Sequence, residues 1–107
     1  MVNRILVFAD DLAADQVAKT LDTASPRQGQ TYSVKEVWTN GETDVDISLT
    51  VRERTLIDAV PITDLPSVGN GLVFDLEVNS GDELAVLGTE TNGAAATPAV
   101  YVLINER

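Results

Sequence analysis

The chain has 107 residues, 44% of them hydrophobic, so it can bury one modest core, and we expect a single domain over residues 1–107. Seventeen acidic residues face seven basic ones, and the net charge of −10 argues against nucleic acid and membrane surfaces as partners. Because the sequence contains no cysteine and no histidine, disulfides, thiolate metal sites and Ser–His–Asp or Cys–His catalysis are excluded. We therefore expect a protein that is not an enzyme.

The N-terminal part of the chain opens with an apolar, partly β-branched run over residues 1–8. We expect residues 1–15 to serve as an N-terminal strand or a docking arm. The next segment is ambiguous, because Ala14, Val17, Ala18 and Leu21 have helical spacing while residues 17–23 also fit a strand. We favour a strand over residues 17–23, preceded at most by a single helical turn.

The middle of the chain contains the clearest strand signal. In residues 45–52, hydrophobic side chains alternate with polar ones, which is typical of a half-buried strand. An earlier run over residues 32–39 is separated from it by Asn40-Gly41. That dipeptide favours a tight turn, so we predict an antiparallel hairpin of these two strands.

Further strands are predicted after a break at Pro61, Pro66 and the dipeptide 70–71. Residues 72–78 alternate again, the turn at residues 79–82 contains a glycine, and shorter apolar runs follow at residues 84–87 and 99–104. Short strands separated by such turns indicate an all-β fold, an antiparallel sandwich or barrel.

The abundance and even spread of acids, with only two lysines, is typical of proteins from salt-adapted organisms. Dispersed carboxylates keep a protein hydrated when salt screens ordinary charge repulsion. We interpret the acidity as halophilic adaptation; an ordinary acidic domain is the alternative.

Several acids are candidates for chemistry. Asp44, Asp46 and Asp82 are candidate ligands for a hard cation such as Na⁺, K⁺, Mg²⁺ or Ca²⁺, although no known loop spacing joins them and a solvated acidic surface explains them more simply. Asp75 and Glu77 are expected on one strand face, where paired carboxylates could act on a glycosidic bond. A glycosidase cleft would also need aromatic platforms, which are scarce here. We assign no catalytic residue and no cofactor.

Trp38, Arg52 and Arg54 are candidate interface residues. A tryptophan at a strand end can anchor a subunit contact, although packing in the core is the favoured alternative. The two arginines can pair with acids of a neighbouring subunit or with acids of their own chain.

Four stretches carry a resemblance to a known class of proteins: residues 20–23 (TLDT), 32–40 (YSVKEVWTN), 45–51 (VDISLTV) and 76–84 (LEVNSGDEL), with Gly29 between the first two. Together they resemble the strand and turn pattern of small jelly-roll proteins from the particles of tailed viruses. The loop at residues 25–30 and the alanines at 94–96 depart from that pattern.

The resemblance implies a jelly-roll-like β-sandwich with a structural role on the virion surface, as a capsid decoration or turret protein of a haloarchaeal tailed virus. It also implies a homo-oligomer, a trimer or pentamer, that contacts the major capsid protein or another virion protein. The alternative function is a carbohydrate- or receptor-binding module, against which the shortage of aromatic residues counts.

Overall fold

The computed structural model describes residues 2–52, 54–67 and 71–107, apart from the side chains of residues 2 and 72–75. Within these residues no helix is long and apolar enough to cross a membrane. A 3₁₀ turn, Ile62–Asp64, follows the fifth strand. The described residues form eight strands: β1 Val2–Ala9, β2 Lys19–Ala24, β3 Thr31–Thr39, β4 Val45–Val51, β5 Arg54–Pro61, β6 Leu72–Asn79, β7 Leu84–Glu90 and β8 Ala99–Glu106.

The strands form two four-stranded antiparallel sheets, sheet I in the order β1-β8-β3-β6 and sheet II in the order β2-β7-β4-β5. β1 pairs with β8, β2 with β7, β3 with β6 and β4 with β5. The chain is thus connected as one long hairpin rolled into two layers. Two sheets of four strands with this order are a jelly roll, which confirms the predicted all-β, jelly-roll-like antiparallel sandwich.

The core lies between the two sheets. In β4 and β7, buried and half-buried positions alternate along the whole strand, as expected when one face of a sheet packs against a second sheet. Each fully buried valine, leucine or isoleucine contributes about 1.5–3 kcal/mol. The largest side chains with under 2% exposure are Phe8, Leu12, Val34, Val37, Val45, Ile47, Leu49, Ile62, Val78, Leu84, Val86 and Ile104.

The predicted hairpin at Asn40-Gly41 is wrong, because β3 lies in sheet I and β4 in sheet II. The Thr39 amide donates to Pro66 O (2.8 Å) and the Asn40 amide to Ala99 O (3.1 Å). The end of β3 is therefore hydrogen-bonded to β8 and to the Pro66 loop, and not to β4. Residues 40–44 then cross to the other layer, a step of about 10 Å. Because the chain crosses between the layers, the apolar sides of β3 and β4 face each other in the core. In a flat hairpin, both apolar sides would lie on the same surface of one sheet.

β5 was not predicted, because Pro61 and the polar residues before it interrupt the apolar pattern. It is an edge strand, where proline and exposed polar residues are tolerated. The ambiguous segment contains β2, which confirms the strand interpretation. In place of a helical turn, Gln16 N donates to Ala13 O (3.2 Å), and Asp15 and Ala18 have positive φ.

The loop between β1 and β2 is fixed to the core by Leu12. Its backbone exchanges two hydrogen bonds with Ala96 (2.8 and 3.0 Å), and its side chain is buried over Gly88 of β7. A Cβ on Gly88 would lie 3.1 Å from Leu12 Cδ1. Gly88 therefore provides the space into which Leu12 packs.

We expect Gly88→Val to lower the free energy of unfolding by about 1–3 kcal/mol, because the new side chain displaces Leu12. Urea unfolding measures the effect. Ala85→Val, on the outward side of the same strand, is the matched control and should change stability little. Equal losses in both variants would contradict this account of Gly88.

Glu90, the last residue of β7, is a buried carboxylate that holds two loops together. It accepts hydrogen bonds from the backbone amides of Asp15 (2.7 Å), Asn92 (2.6 Å) and Gly93 (2.9 Å). The Asp15 amide, helped by those of Asn92 and Gly93 and opposed by burial, lowers the pKa of Glu90 below its ordinary value of 4.5.

Because the folded pKa lies below the unfolded one, the charged form of Glu90 stabilises the fold above about pH 4.5, and this stabilisation is lost as the pH falls through the folded pKa. We expect Glu90→Gln to lower stability at neutral pH and to reduce the further loss in acid. Unfolding curves at neutral and acidic pH measure both effects. Glu83→Gln, an exposed carboxylate before the same strand, is the control and should keep the wild-type acid response.

Candidate functional site

The structure brings Arg52, Arg54 and Asp82 together at one end of the sandwich. They line a cleft of about 700 Å³ together with Val51, Leu76, Glu77 and Asn79. Arg52 Nε forms an ion pair with Asp82 Oδ1, and the Asn79 amide donates to Asp82 Oδ2 (3.3 Å). Both oxygens of Asp82 thus have protein partners, and its charge is compensated by an arginine, which weakens its case as a cation ligand.

Asp44 and Asp46 lie at the opposite end, because Val45 pairs with Glu90 while Val51 pairs with Leu84. At about 3.3 Å per residue, the length of β4 places them roughly 20 Å from Asp82, too far to share an ion. Asp44 Oδ2 accepts a hydrogen bond from Asn92 Nδ2 (3.2 Å). Among the described residues, no three acidic side chains are grouped to hold a metal, and ion binding at Asp44 and Asp46 stays a prediction.

The structure does not describe a carboxylate pair formed by Asp75 and Glu77. Glu77 is exposed and forms an ion pair with Arg107. The side chain of Asp75 lies outside the described residues. Glu90, the buried carboxylate with a lowered pKa, is surrounded by backbone amides of its own loops, which gives it a structural role.

Trp38 lies on the outer face of sheet I. Its neighbours Val37 and Thr39 are buried, so alternation along β3 turns Trp38 away from the core, where it is half-buried. Its ring stacks on Tyr101 of β8, with centroids 5.8 Å apart and planes at 27°. The core position that the sequence analysis favoured for Trp38 is therefore not observed, because a residue between two inward-facing positions of a strand has to point outward.

Trp38 and Tyr101 belong to a larger apolar surface. Across the sheet, Val7 pairs with Tyr101 and Tyr101 with Trp38, while Ile5 pairs with Leu103 in the next row. Ile5 is 51% exposed and Val7 is 54% exposed. We call this surface, formed by Ile5, Val7, Trp38, Tyr101 and Leu103, the apolar face.

The outer face of sheet II has a different character. Its central rows are small or polar, with Leu87 as the large apolar residue: Asp46, Ser48, Thr50, Ala85, Leu87 and Thr89. A solvent-facing side of a sandwich is normally of this kind. The apolar face of sheet I is thus specific to one side of the molecule.

The three strands that form the apolar face carry no net charge in sum, and Glu36, which pairs with Leu103, lies beside the face. In the strands that form it, β1, β3 and β8, Arg4 and Lys35 balance Glu36 and Glu106, so the sum is zero. The whole chain carries −10, so the other segments carry all of the net negative charge. An apolar surface on strands without net charge, in an otherwise acidic protein, fits contact with another macromolecule.

Sequence reasoning identified Trp38 but missed Ile5, Val7, Tyr101 and Leu103. The signal was present, because residues 5–9 and 99–104 are continuous apolar runs without alternation. In a two-layer sandwich only one side of a strand can face the core, so a continuous run leaves an apolar outer side.

A scan against protein-family models finds no match, and no curated protein matches the sequence. Among solved structures, the VP2 subviral particle of infectious bursal disease virus aligns with a TM-score of 0.42 and 14% sequence identity. The alignment covers 94% of this chain and 32% of the VP2 chain, so this chain spans about a third of that protein. The jelly-roll architecture rests on the strand order and pairing described above.

Proposed function

We propose that this chain is a non-enzymatic structural protein of a virus particle, which assembles and decorates or caps the capsid. The apolar face is the observation that carries the proposal. Five apolar and aromatic side chains on one surface bring no advantage to a protein that remains a monomer, whereas a subunit of an assembly can bury them in a contact.

The particular setting proposed is the surface of a haloarchaeal tailed virus. It is supported by the dispersed acids, the scarcity of lysine and the resemblance of the strand and turn pattern to virion jelly-roll proteins. The proposed partners are copies of the chain itself, as a homo-oligomer, and the major capsid protein or another virion protein. A high-salt setting suits an apolar contact between acidic subunits, because about 1 M salt shortens the screening length to about 3 Å.

We expect the wild-type protein to associate in about 1 M NaCl and to dissociate as salt is lowered, because repulsion between bodies of charge −10 returns. Tyr101→Asp puts a charge at the centre of the apolar face, beside Val7, and should weaken association in high salt. Sedimentation or native mass measurement reads out both effects.

The matched control is Leu87→Asp, a half-buried leucine on the outer face of the other sheet and also on a central strand. It should associate like the wild type. A wild type that is monomeric at every salt concentration would contradict assembly through its own copies, and equal loss in both variants would contradict the choice of face.

A second candidate function is carbohydrate binding, which the stacked Trp38 and Tyr101 favour. Aromatic rings on an exposed sheet surface can pack against the apolar side of a sugar ring. The arginine-lined cleft at the far end of the sandwich offers charged donors but no described aromatic residue.

For the carbohydrate function we expect Trp38→Ala to abolish binding on a glycan array while the protein remains folded. Arg54→Ala, in the cleft, is the control and should leave such binding unchanged. The absence of any wild-type glycan signal in low and high salt would eliminate this second candidate.

A further inference from the structure

We propose that β1 pairs edge to edge with β1 of a second copy of this chain, antiparallel across a two-fold axis, so that sheet I continues from one subunit into the next. The inference rests on the proposed assembly function and specifies its contact. It concerns the backbone of β1 together with Ile5 and Val7 of the apolar face.

The direction of the backbone groups in β8 can be read from hydrogen bonds at its two ends. Thr31 and Arg107 exchange both of their amide–carbonyl bonds (2.9 Å each), and Ala99 O accepts from Asn40 N (3.1 Å). A strand residue directs its N–H and C=O to the same neighbour, and successive residues alternate. The odd-numbered residues of β8 therefore face β3, and the even-numbered ones face β1.

The same alternation fixes β1. Its residues opposite the even-numbered positions of β8 are Arg4, Leu6 and Phe8, and these bond within sheet I. Ile5 and Val7 consequently direct their N–H and C=O groups to the open edge. In the described part of the chain no strand pairs with β1 on that side.

Each of the other three edge strands, β2, β5 and β6, has features that oppose strand pairing, and β1 has none of them. β6, the other edge of sheet I, has a register shift in its pairing with β3 and contains two acidic residues. β2 has six residues and a register shift between Thr20 and Asp22. β5 has two irregularities, the positive φ of Ala59 and a terminal Pro61. β1 runs for eight residues in unbroken register with no proline or glycine, the kind of edge that recruits another strand.

A second copy is the occupant that fits this edge by charge. The one charged residue of β1, Arg4, is already engaged by Tyr32 Oη (3.0 Å) and Glu106 (3.8 Å) of its own chain. The β1 strand of another copy brings no acidic residue to the contact, whereas most other segments of this chain would. Two-fold pairing also places the Ile5 and Val7 side chains of both copies side by side on one surface, where cross-strand apolar pairs stabilise a sheet.

A two-fold contact gives a dimer, or a larger assembly built from dimers, in place of the trimer or pentamer that the resemblance implies. It also joins the apolar faces of two subunits into one continuous surface. That surface, twice the size of the original, is then available for docking on the particle.

The test is Val7→Pro, which removes one edge-facing N–H and blocks pairing, while an edge strand tolerates proline whose nitrogen faces solvent. Val7→Ala is the matched control, because it shortens the same side chain and keeps the N–H. Sedimentation equilibrium in about 1 M NaCl should show a wild-type dimer. We expect Val7→Pro to weaken it roughly tenfold or more and Val7→Ala to weaken it clearly less.

Hydrogen exchange of the wild type gives a second readout that does not depend on a variant. The amides of Ile5 and Val7 should exchange more slowly in concentrated than in dilute protein, while those of β5 should not change. Two results would overturn edge pairing without contradicting the proposed assembly. One is a trimer or pentamer, and the other is an oligomer that persists in Val7→Pro but dissociates in Tyr101→Asp. A monomer under all conditions would overturn both.

Discussion

The shared interior of the two sheets is the constraint on which the rest of this structure depends. A two-layer sandwich has one core, so each strand has to place one side of its residues between the layers. Sheet II contributes the inward residues of β4 and β7, and sheet I contributes Val34, Val37, Val100 and Val102. The cross-layer loop at residues 40–44 follows from this requirement, which overrides the local preference of Asn-Gly for a tight hairpin.

The same constraint explains why one outer surface is apolar. β1 and β8 are hydrophobic on both sides, and the core can accept only one of them. The excess forms the apolar face, whose strands also sum to zero charge. In a chain of net charge −10, this is the side of the molecule that a partner, including the β1 edge of a second copy, can approach with the least repulsion. The acidity and the apolar face are therefore complementary: acids keep most of the surface solvated, and one side remains for contact.

The residues nominated from sequence have very different surroundings in the folded chain. Arg52 and Asp82 are separated by 30 positions, yet they form an ion pair, because the turns after β4 and β6 meet at one end of the sandwich. Asp44 and Asp82 looked equivalent as acidic loop residues and lie at opposite ends. Such relations depend on which strands pair, and pairing between distant segments leaves no local mark in the sequence.

The sequence by itself determined the all-β class, the positions of the strongly alternating strands and the absence of thiol and imidazole chemistry. These follow from composition and from side-chain periodicity, which are local properties. β5 was not visible, because an edge strand needs few buried residues and can contain Pro61. Only the tertiary structure decided that residues 32–39 and 45–51 lie in different sheets, and that Trp38 faces outward to stack on Tyr101. The physical reason is that the inward and outward sides of a strand are defined by the sheet packed against it.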